Sequence, residues 1–276
     1  MDPKHNQAAV VGTLNRRRWL HACGLIGATA AASAGSGCAL LAPGAEAEGH
    51  DAAAHSPPAP VVLPFSAAAP GDVPVGWRPY VLRRDLPRTR YATTDLGDRR
   101  VLHARARRSA TGLHCAVDID PLQQRHLDFS WKVRAVERQA DVSAAERDDC
   151  PARLIVAFDG DHQRLSLRDR LLFDQVELFT GQRLPFAMLM YVWDGGSHAP
   201  ESVHRNHRTA RIQYLTVESG HARAGQWLHY RRDVVADYQR VYGEAPGRIV
   251  GVGVLTDADA LKLDLEAWYG DIALRA

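Results

Sequence analysis

Within HLDFSWKVRAV (126–136), residues 126–135 alternate without a break: Leu127, Phe129, Trp131, Val133 and Ala135 are apolar, and His126, Asp128, Ser130, Lys132 and Arg134 stand between them. A period of two sends successive side chains to opposite faces, so this stretch buries one face only as a strand with one wet side. Three further runs, ARLIVAF (152–158), AMLMYVW (187–193) and RIVGVGVL (248–255), are short and nearly continuously apolar, as central strands are. YATTD, RVLHARA and GLHCAVDI supply earlier strands, divided by Gly, Asp and Pro turns. Two segments change period. SLRDRLLFDQVELFTG sets Leu171, Leu172, Val176 and Phe179 at helical spacing and stops at Gly181. RDVVADYQRVYGEAP offers Asp233 as an N-cap, apolar Val234, Tyr238, Val241 and Tyr242, then Gly243 and Pro246 as terminators. The pattern predicts a mainly β chain: a single β-sandwich over residues 63–276 with one or two helical insertions.

The segment before the sandwich reads as an address. NRRRWLHACGLIGATAAASAGSGCALLAPG has a basic start, a modestly apolar run rich in Ala and Gly, and then small residues. Residues 1–47 are thus expected to be an export signal, with Arg16 and Arg17 opening a twin-arginine-like Arg16-Arg17-Arg18-Trp19-Leu20. Cys38 closes Gly35-Ser36-Gly37-Cys38, similar to a lipoprotein cleavage site, although Gly35 stands where an aliphatic residue is usual. Cleavage at Ala45-Glu46-Ala47 is the alternative. Residues 48–62 have no periodicity and form a tether. The expected location is the periplasm or another extracytoplasmic site, with membrane attachment only through a lipid on Cys38. A net charge of +2, from 34 basic against 32 acidic residues, argues against a nucleic-acid partner. No run of eighteen apolar residues occurs after residue 60.

Chemistry-bearing residues fall into a few groups. Cys115 and Cys150 are the cysteines outside the signal; in an oxidising compartment they either pair or remain two separate buried thiols. Asp148 and Asp149 precede the strand at 152–158, where Arg153 shares a face with Ile155 and Ala157 and is expected to be partly buried and paired. Asp257 and Asp259 come after the strand at 248–255, where Gly251 and Gly253 leave one face bare. In LKLDLEAW, Leu261, Leu263, Leu265 and Ala267 share one face, which leaves Asp264, Glu266 and Trp268 on the wet one. Continued parity turns Asp271 inward, where an unpaired carboxylate costs several kcal/mol and so calls for Arg153 or a bound ion. Trp268 is the expected stacking surface for a ligand. Gly195-Gly196-Ser197-His198-Ala199 comes after an apolar strand as a nucleophile elbow would, but Pro200 prevents a clean helix start. His204 and His207 share a polar loop and are read as solvated rather than as zinc ligands. Walker, dinucleotide and Cys-x-x-Cys motifs are absent.

The order of VPVGW (73–77), SATGL (109–113), DDCPARLIVAFDGD (148–161), LSLRDRLLFDQVELFTGQRLPFAMLMYVWD (165–194), RRDVVADYQRVYGEAPG (231–247) and WYGDI (268–272) resembles a bacterial family of domains of unknown function, numbered 3047. The resemblance implies an exported protein without an assigned activity and a sandwich similar to the jelly rolls of carbohydrate-binding domains. In such jelly rolls an acidic residue near the last strand often helps to hold a structural calcium. Here the expected ligands are Asp257, Asp259 and Asp271. The family usually reads Asp-Thr-Asp-Asn-Thr where this chain has Asp257-Ala258-Asp259-Ala260-Leu261, so three polar side chains are gone. No activated nucleophile or base is legible. The expected function is therefore binding without catalysis and without a required cofactor, the partner being a saccharide or cell-envelope component. The alternative is a hydrolase built on Asp148/Asp149, Asp257/Asp259 and Asp271, with or without a metal.

Overall fold

A computed structural model describes residues 61–81, 85–180 and 183–276. The export signal, with Arg16, Arg17 and Cys38, lies outside the described residues, as does most of the tether. The strands are β1 (Trp77–Val81), β2 (Arg90–Leu96), β3 (Arg99–Arg107), β4 (Thr111–Ile119), β5 (His126–Val133), β6 (Cys150–Phe158), β7 (Ala187–Asp194), β8 (Val203–Arg205), β9 (Ile212–Ser219), β10 (Leu228–Asp233), β11 (Ile249–Asp257), β12 (Asp264–Tyr269) and β13 (Ala273–Arg275). Helix α1 (Leu167–Thr180) lies between β6 and β7, and α2 (Val234–Tyr242) between β10 and β11. Seven strands form one sheet in the order β1-β4-β11-β6-β7-β9-β8, and six form the other, β10-β5-β12-β3-β2 with β13 beside β5. The result is a jelly-roll-like β-sandwich. All pairings among the described residues are antiparallel except β7 with β9.

The period-two residues do what their spacing requires. Leu127, Phe129, Trp131 and Val133 of β5 fill the core from one sheet; Leu154, Val156 and Phe158 of β6 and Leu189, Tyr191 and Trp193 of β7 fill it from the other. Ala135 lies beyond the end of β5 and is exposed. In α2, the Asp233 carboxylate accepts from the Ala236 amide at 3.0 Å and Gly243 ends the helix at φ +71°. In α1, Leu172 and Val176 pack against the core as expected, and Leu171 is corrected. Phe173 is buried, whereas Leu171 is exposed together with Leu167 and Leu178.

Two connections position chemistry. Tyr269 of β12 pairs with Trp131, but Ala273 of β13 pairs with Asp128, so one extra residue sits between them. The bulge is centred on Gly270, where a Cβ would lie 2.3 Å from Ser130 Oγ, and it inverts the parity of the residues after it. At the end of β7, a Cβ on Gly195 would lie 2.1 Å from the Ala140 carbonyl, so the β7–β8 loop abuts the β5–β6 loop backbone to backbone.

Candidate functional site

The expected carboxylate–arginine group forms at one end of the seven-stranded sheet. Arg153 projects from β6 on the side away from the sandwich core, yet is only 2% exposed. Its Nη2 lies 2.8 Å from Asp148 Oδ1 and 3.2 Å from Asp257 Oδ2, and donates to the Asp148 carbonyl at 2.8 Å. Its guanidinium also lies over the Tyr214 ring, 5.2 Å from the centroid. Tyr214 in turn donates to Asp148 Oδ2 at 3.2 Å. Asp149, fully buried, accepts from the amides of Ala260 and Leu261 at 2.8 and 2.7 Å. Those are backbone donors, so the alanines and leucine at 258, 260 and 261 do not deprive Asp149 of them.

Burial raises the Asp148, Asp149 and Asp257 carboxyls, and Arg153 opposes that rise in each case. Asp257, which is buried, faces Asp148, Asp259 and Asp149 with one guanidinium to share, and its carboxyl is raised well above the ordinary range. Burial disfavours the Arg153 charge, but the two carboxylates more than reverse this and keep it protonated.

Two of the sequence expectations are corrected here, and of the two alternatives for the cysteines the separate buried thiols are found. Asp271 does not reach Arg153: the Gly270 bulge turns it outward, where it is exposed and accepts from the Ser66 amide at 2.9 Å and hydroxyl at 2.5 Å. The expected metal trio of Asp257, Asp259 and Asp271 is therefore not assembled. Instead Asp149, Asp257 and Asp259 bring one oxygen each within 4.8 Å of one another. In that trio the two Asp149 oxygens accept from amides and Asp257 faces Arg153. Cys115 and Cys150 are free and buried. Cys115 lies opposite Val252 and Cys150 opposite Asp257, five residues further along β11. At about 3.3 Å per residue this is beyond the roughly 7 Å Cα limit of a disulfide.

Asp264, Glu266 and Trp268 face outward from the six-stranded sheet, as the alternation requires. The Trp268 ring is stacked flat on His103 at 4.9 Å, with Lys132 Nζ 5.5 Å from its centroid. The bare side of Gly251 and Gly253 is not covered by a helix: the atoms nearest an added Cβ belong to β4 and β6.

The six-stranded sheet also carries an open cleft of about 660 Å³, beside Trp268 in the next positions of β5 and β12. On its floor Asp128 is held by Arg231 through two bonds of 2.7 and 3.0 Å and by Arg275 at 3.1 Å. Ser130, His229 and Gly270 continue the floor, and Asp271 with Ser66 forms one edge. Arg99 also lines the cleft, its guanidinium 4.9 Å from the Trp227 ring. The Arg231 and Arg275 contacts hold the Asp128 carboxyl below its ordinary range. It is thus a fixed, ionised acceptor.

A third group went unrecognised in the sequence. His198 Nε2 lies 2.9 Å from Asp141 Oδ1, and one oxygen of buried Asp194 lies within 4.8 Å of both. The His204 ring centroid is 3.8 Å from that of His198. The sequence signal was the Gly195-Gly196 pair after an apolar strand, which marks a close backbone approach, together with the two histidines beyond it.

The fold and these sites define a β-sandwich with an enclosed ion-pair cluster and a polar cleft on one sheet. The family described as "Protein of unknown function (DUF3047)" matches residues 75–273, and the chain belongs to it. No curated protein matches the sequence. Among solved structures, an arabinose-bound GH51 α-L-arabinofuranosidase is 9% identical with a TM-score of 0.37, over 77% of this chain and 25% of that one. The family GH12 endoglucanase 3 of Trichoderma harzianum is 7% identical with a TM-score of 0.35, over 67% and 83% of the two chains. A family 11 xylanase of Neocallimastix patriciarum is 10% identical with a TM-score of 0.30, over 74% and 90%. This chain spans a quarter of the arabinofuranosidase's length. Likenesses this distant carry nothing about activity.

Proposed function

We propose that the protein is an exported binding domain without catalysis, which takes a saccharide or another polyhydroxylated cell-envelope component in the cleft of the six-stranded sheet. The observation that carries this reading is the distribution of the carboxylates. Asp148, Asp149 and Asp257, whose protons are held above the ordinary range, gather around Arg153 in the interior. A carboxylate hydrolase instead needs an acid and a base facing each other across an open cleft. Of the carboxylates that line the cleft, Asp98, Asp128 and Asp271, Asp128 is pulled down by two arginines and unsuited to donating a proton, and Asp271 accepts from the Ser66 amide and hydroxyl. Polar groups locked in position on a rigid sheet suit hydroxyl recognition, whereas the Trp268 ring expected to stack on a ligand is stacked on His103. Export rests on Arg16 and Arg17 and the apolar run after them, and attachment to a membrane on Cys38.

The test is a glycan and envelope-polymer binding screen on the purified protein, repeated with Asp128→Ala and Arg231→Ala. Binding that disappears in both variants while the melting temperature holds supports the cleft. A ligand bound equally well by both variants removes the cleft from the proposal, and turnover of a glycan by the wild type refutes the non-catalytic reading.

A further inference from the structure

We infer that Asp141, Asp194, His198 and His204 form a site for a zinc-class divalent cation that fastens the β5–β6 loop to the β7–β8 loop. Asp141 lies in the first loop; Asp194 ends β7, His198 is four residues beyond it, and His204 sits on β8. Ligand atoms from Asp141, Asp194 and His198 already lie within 4.8 Å of one another, and the His204 ring is beside that of His198. Two imidazole nitrogens and two carboxylate oxygens are donors that zinc accepts in tetrahedral geometry. Two carboxylates, two neutral imidazoles and a divalent ion sum to zero charge, which suits a partly enclosed site.

A second observation points to a missing ligand. Asp194 is fully buried, and its Oδ1 has no hydrogen-bond partner among the described residues. His204 Nε2 is likewise buried without a hydrogen-bond partner among them. Two orphaned acceptors or donors in one cluster each carry the desolvation cost of an unmade bond, and a shared cation removes both. The surrounding groups hold the ligands as a metal's outer shell does. Asp194 Oδ2 accepts from the amides of Gly196 at 2.9 Å and His198 at 3.0 Å. Asp141 is fixed by the Ser143 amide at 2.9 Å, the Ser143 hydroxyl at 2.6 Å and Arg147 at 3.0 Å. Gly196, at φ +125°, adopts a backbone conformation that side-chain-bearing residues rarely take, and so lets its amide reach Asp194.

Loading must part the closest pair of ligand atoms. The His198–Asp141 separation of 2.9 Å must open to about 3.4 Å, the span of two bonds of about 2.1 Å at a tetrahedral angle. Four protein ligands leave no open coordination position, the arrangement of structural rather than catalytic zinc. None of the four residues lines the cleft, so the inference stands apart from the binding proposal.

The experiment uses the full chain, stripped with a chelator and dialysed. It is titrated with Zn²⁺ by calorimetry and with Co²⁺ by visible absorption. One ion per chain and the intense bands of four-coordinate Co²⁺ are expected. His198→Ala and His204→Ala should each weaken binding by more than the roughly 10–100-fold that outer-shell changes cost. His207→Ala, which removes the exposed partner of the His-x-x-His spacing, should bind as the wild type does. Where His198→Ala fails to fold, His204→Ala decides. Absence of Zn²⁺ and Co²⁺ binding by the folded wild type, or binding that survives His204→Ala, overturns the inference. In the first of those outcomes the cluster is a hydrogen-bonded Asp–His pair only.

Discussion

Arg153→Met tests the buried cluster most directly. Methionine roughly matches the aliphatic part of arginine and keeps an apolar contact against Tyr214, but it removes the guanidinium that faces Asp148 and Asp257 at 2.8 and 3.2 Å. Asp148 retains the Tyr214 hydroxyl at 3.2 Å, and its carbonyl loses a 2.8 Å donor. Removing one member of a buried pair costs about 3–5 kcal/mol, because the other charge remains without compensation. At about 2–4 °C per kcal/mol for a domain of this size, the midpoint should fall by roughly 6–20 °C. The origin of that loss is separable. Asp148 lies closer to the guanidinium than Asp257 does, at 2.8 against 3.2 Å, so stranding falls chiefly on Asp148. Arg153→Met with Asp148→Asn should therefore recover about 1–3 kcal/mol relative to the single variant, within the usual range of coupling between contacting residues. Arg153→Met with Asp257→Asn should recover less. The assay is urea denaturation monitored by tryptophan fluorescence and by circular dichroism, with coincident transitions required for a two-state treatment. A loss below about 1 kcal/mol in Arg153→Met, or no recovery in either double variant, refutes the account, since a buried charge cluster cannot be indifferent to its counter-ion.

Asp271→Ala and Asp264→Ala should each cost less than about 1 kcal/mol in the same denaturation assay, because both carboxylates are exposed; a loss at Asp271 matching that of Arg153→Met would return it to the interior. Cys115 and Cys150 should resist alkylation in the folded protein and react only on unfolding, since burial raises both thiols, Cys150 to about 12; a reductant that lowers the midpoint would reveal a disulfide the geometry rules out. Asp257 binds its proton more tightly folded than unfolded, so its contribution is complete below the ordinary carboxylate range and is lost as pH rises through its raised value. Stability measured across that window should fall less steeply with pH in Asp257→Asn, and an unchanged slope would count against the raised carboxyl.

The strands were legible because a half-buried strand declares its period locally. β5, β6, β7 and β11 stand where the alternation and the apolar runs put them. The face of α1 was legible only in part, at Leu172 and Val176. Its leucines occur on several sides, and Phe173 is buried with its ring against His162, a tertiary partner that periodicity does not see. Proximity of Asp148 and Asp149 to Arg153 was likewise legible, because strand order within one segment fixes it. That Asp257 joins them depends on β11 pairing with β6, and the apolar character of both runs made the pairing natural.

Register was not legible. Parity carried through Gly270 makes Asp271 a core residue; one added residue between the Tyr269–Trp131 and Ala273–Asp128 pairs makes it a surface one. Glycine marks where a bulge is allowed, but the decision depends on Ser130, whose hydroxyl occupies the space a side chain at 270 would need. The same dependence hid the Asp141 and His198 contact, since those residues are 57 apart in the chain and meet only because Gly195 admits the Ala140 carbonyl. In both places a glycine after a strand records close approach without naming what approaches. Glycines in such positions are therefore best read together with the charged residues immediately beyond them, here Asp271 after Gly270 and His198 after Gly195 and Gly196, as places where sheet parity no longer decides which way a side chain points.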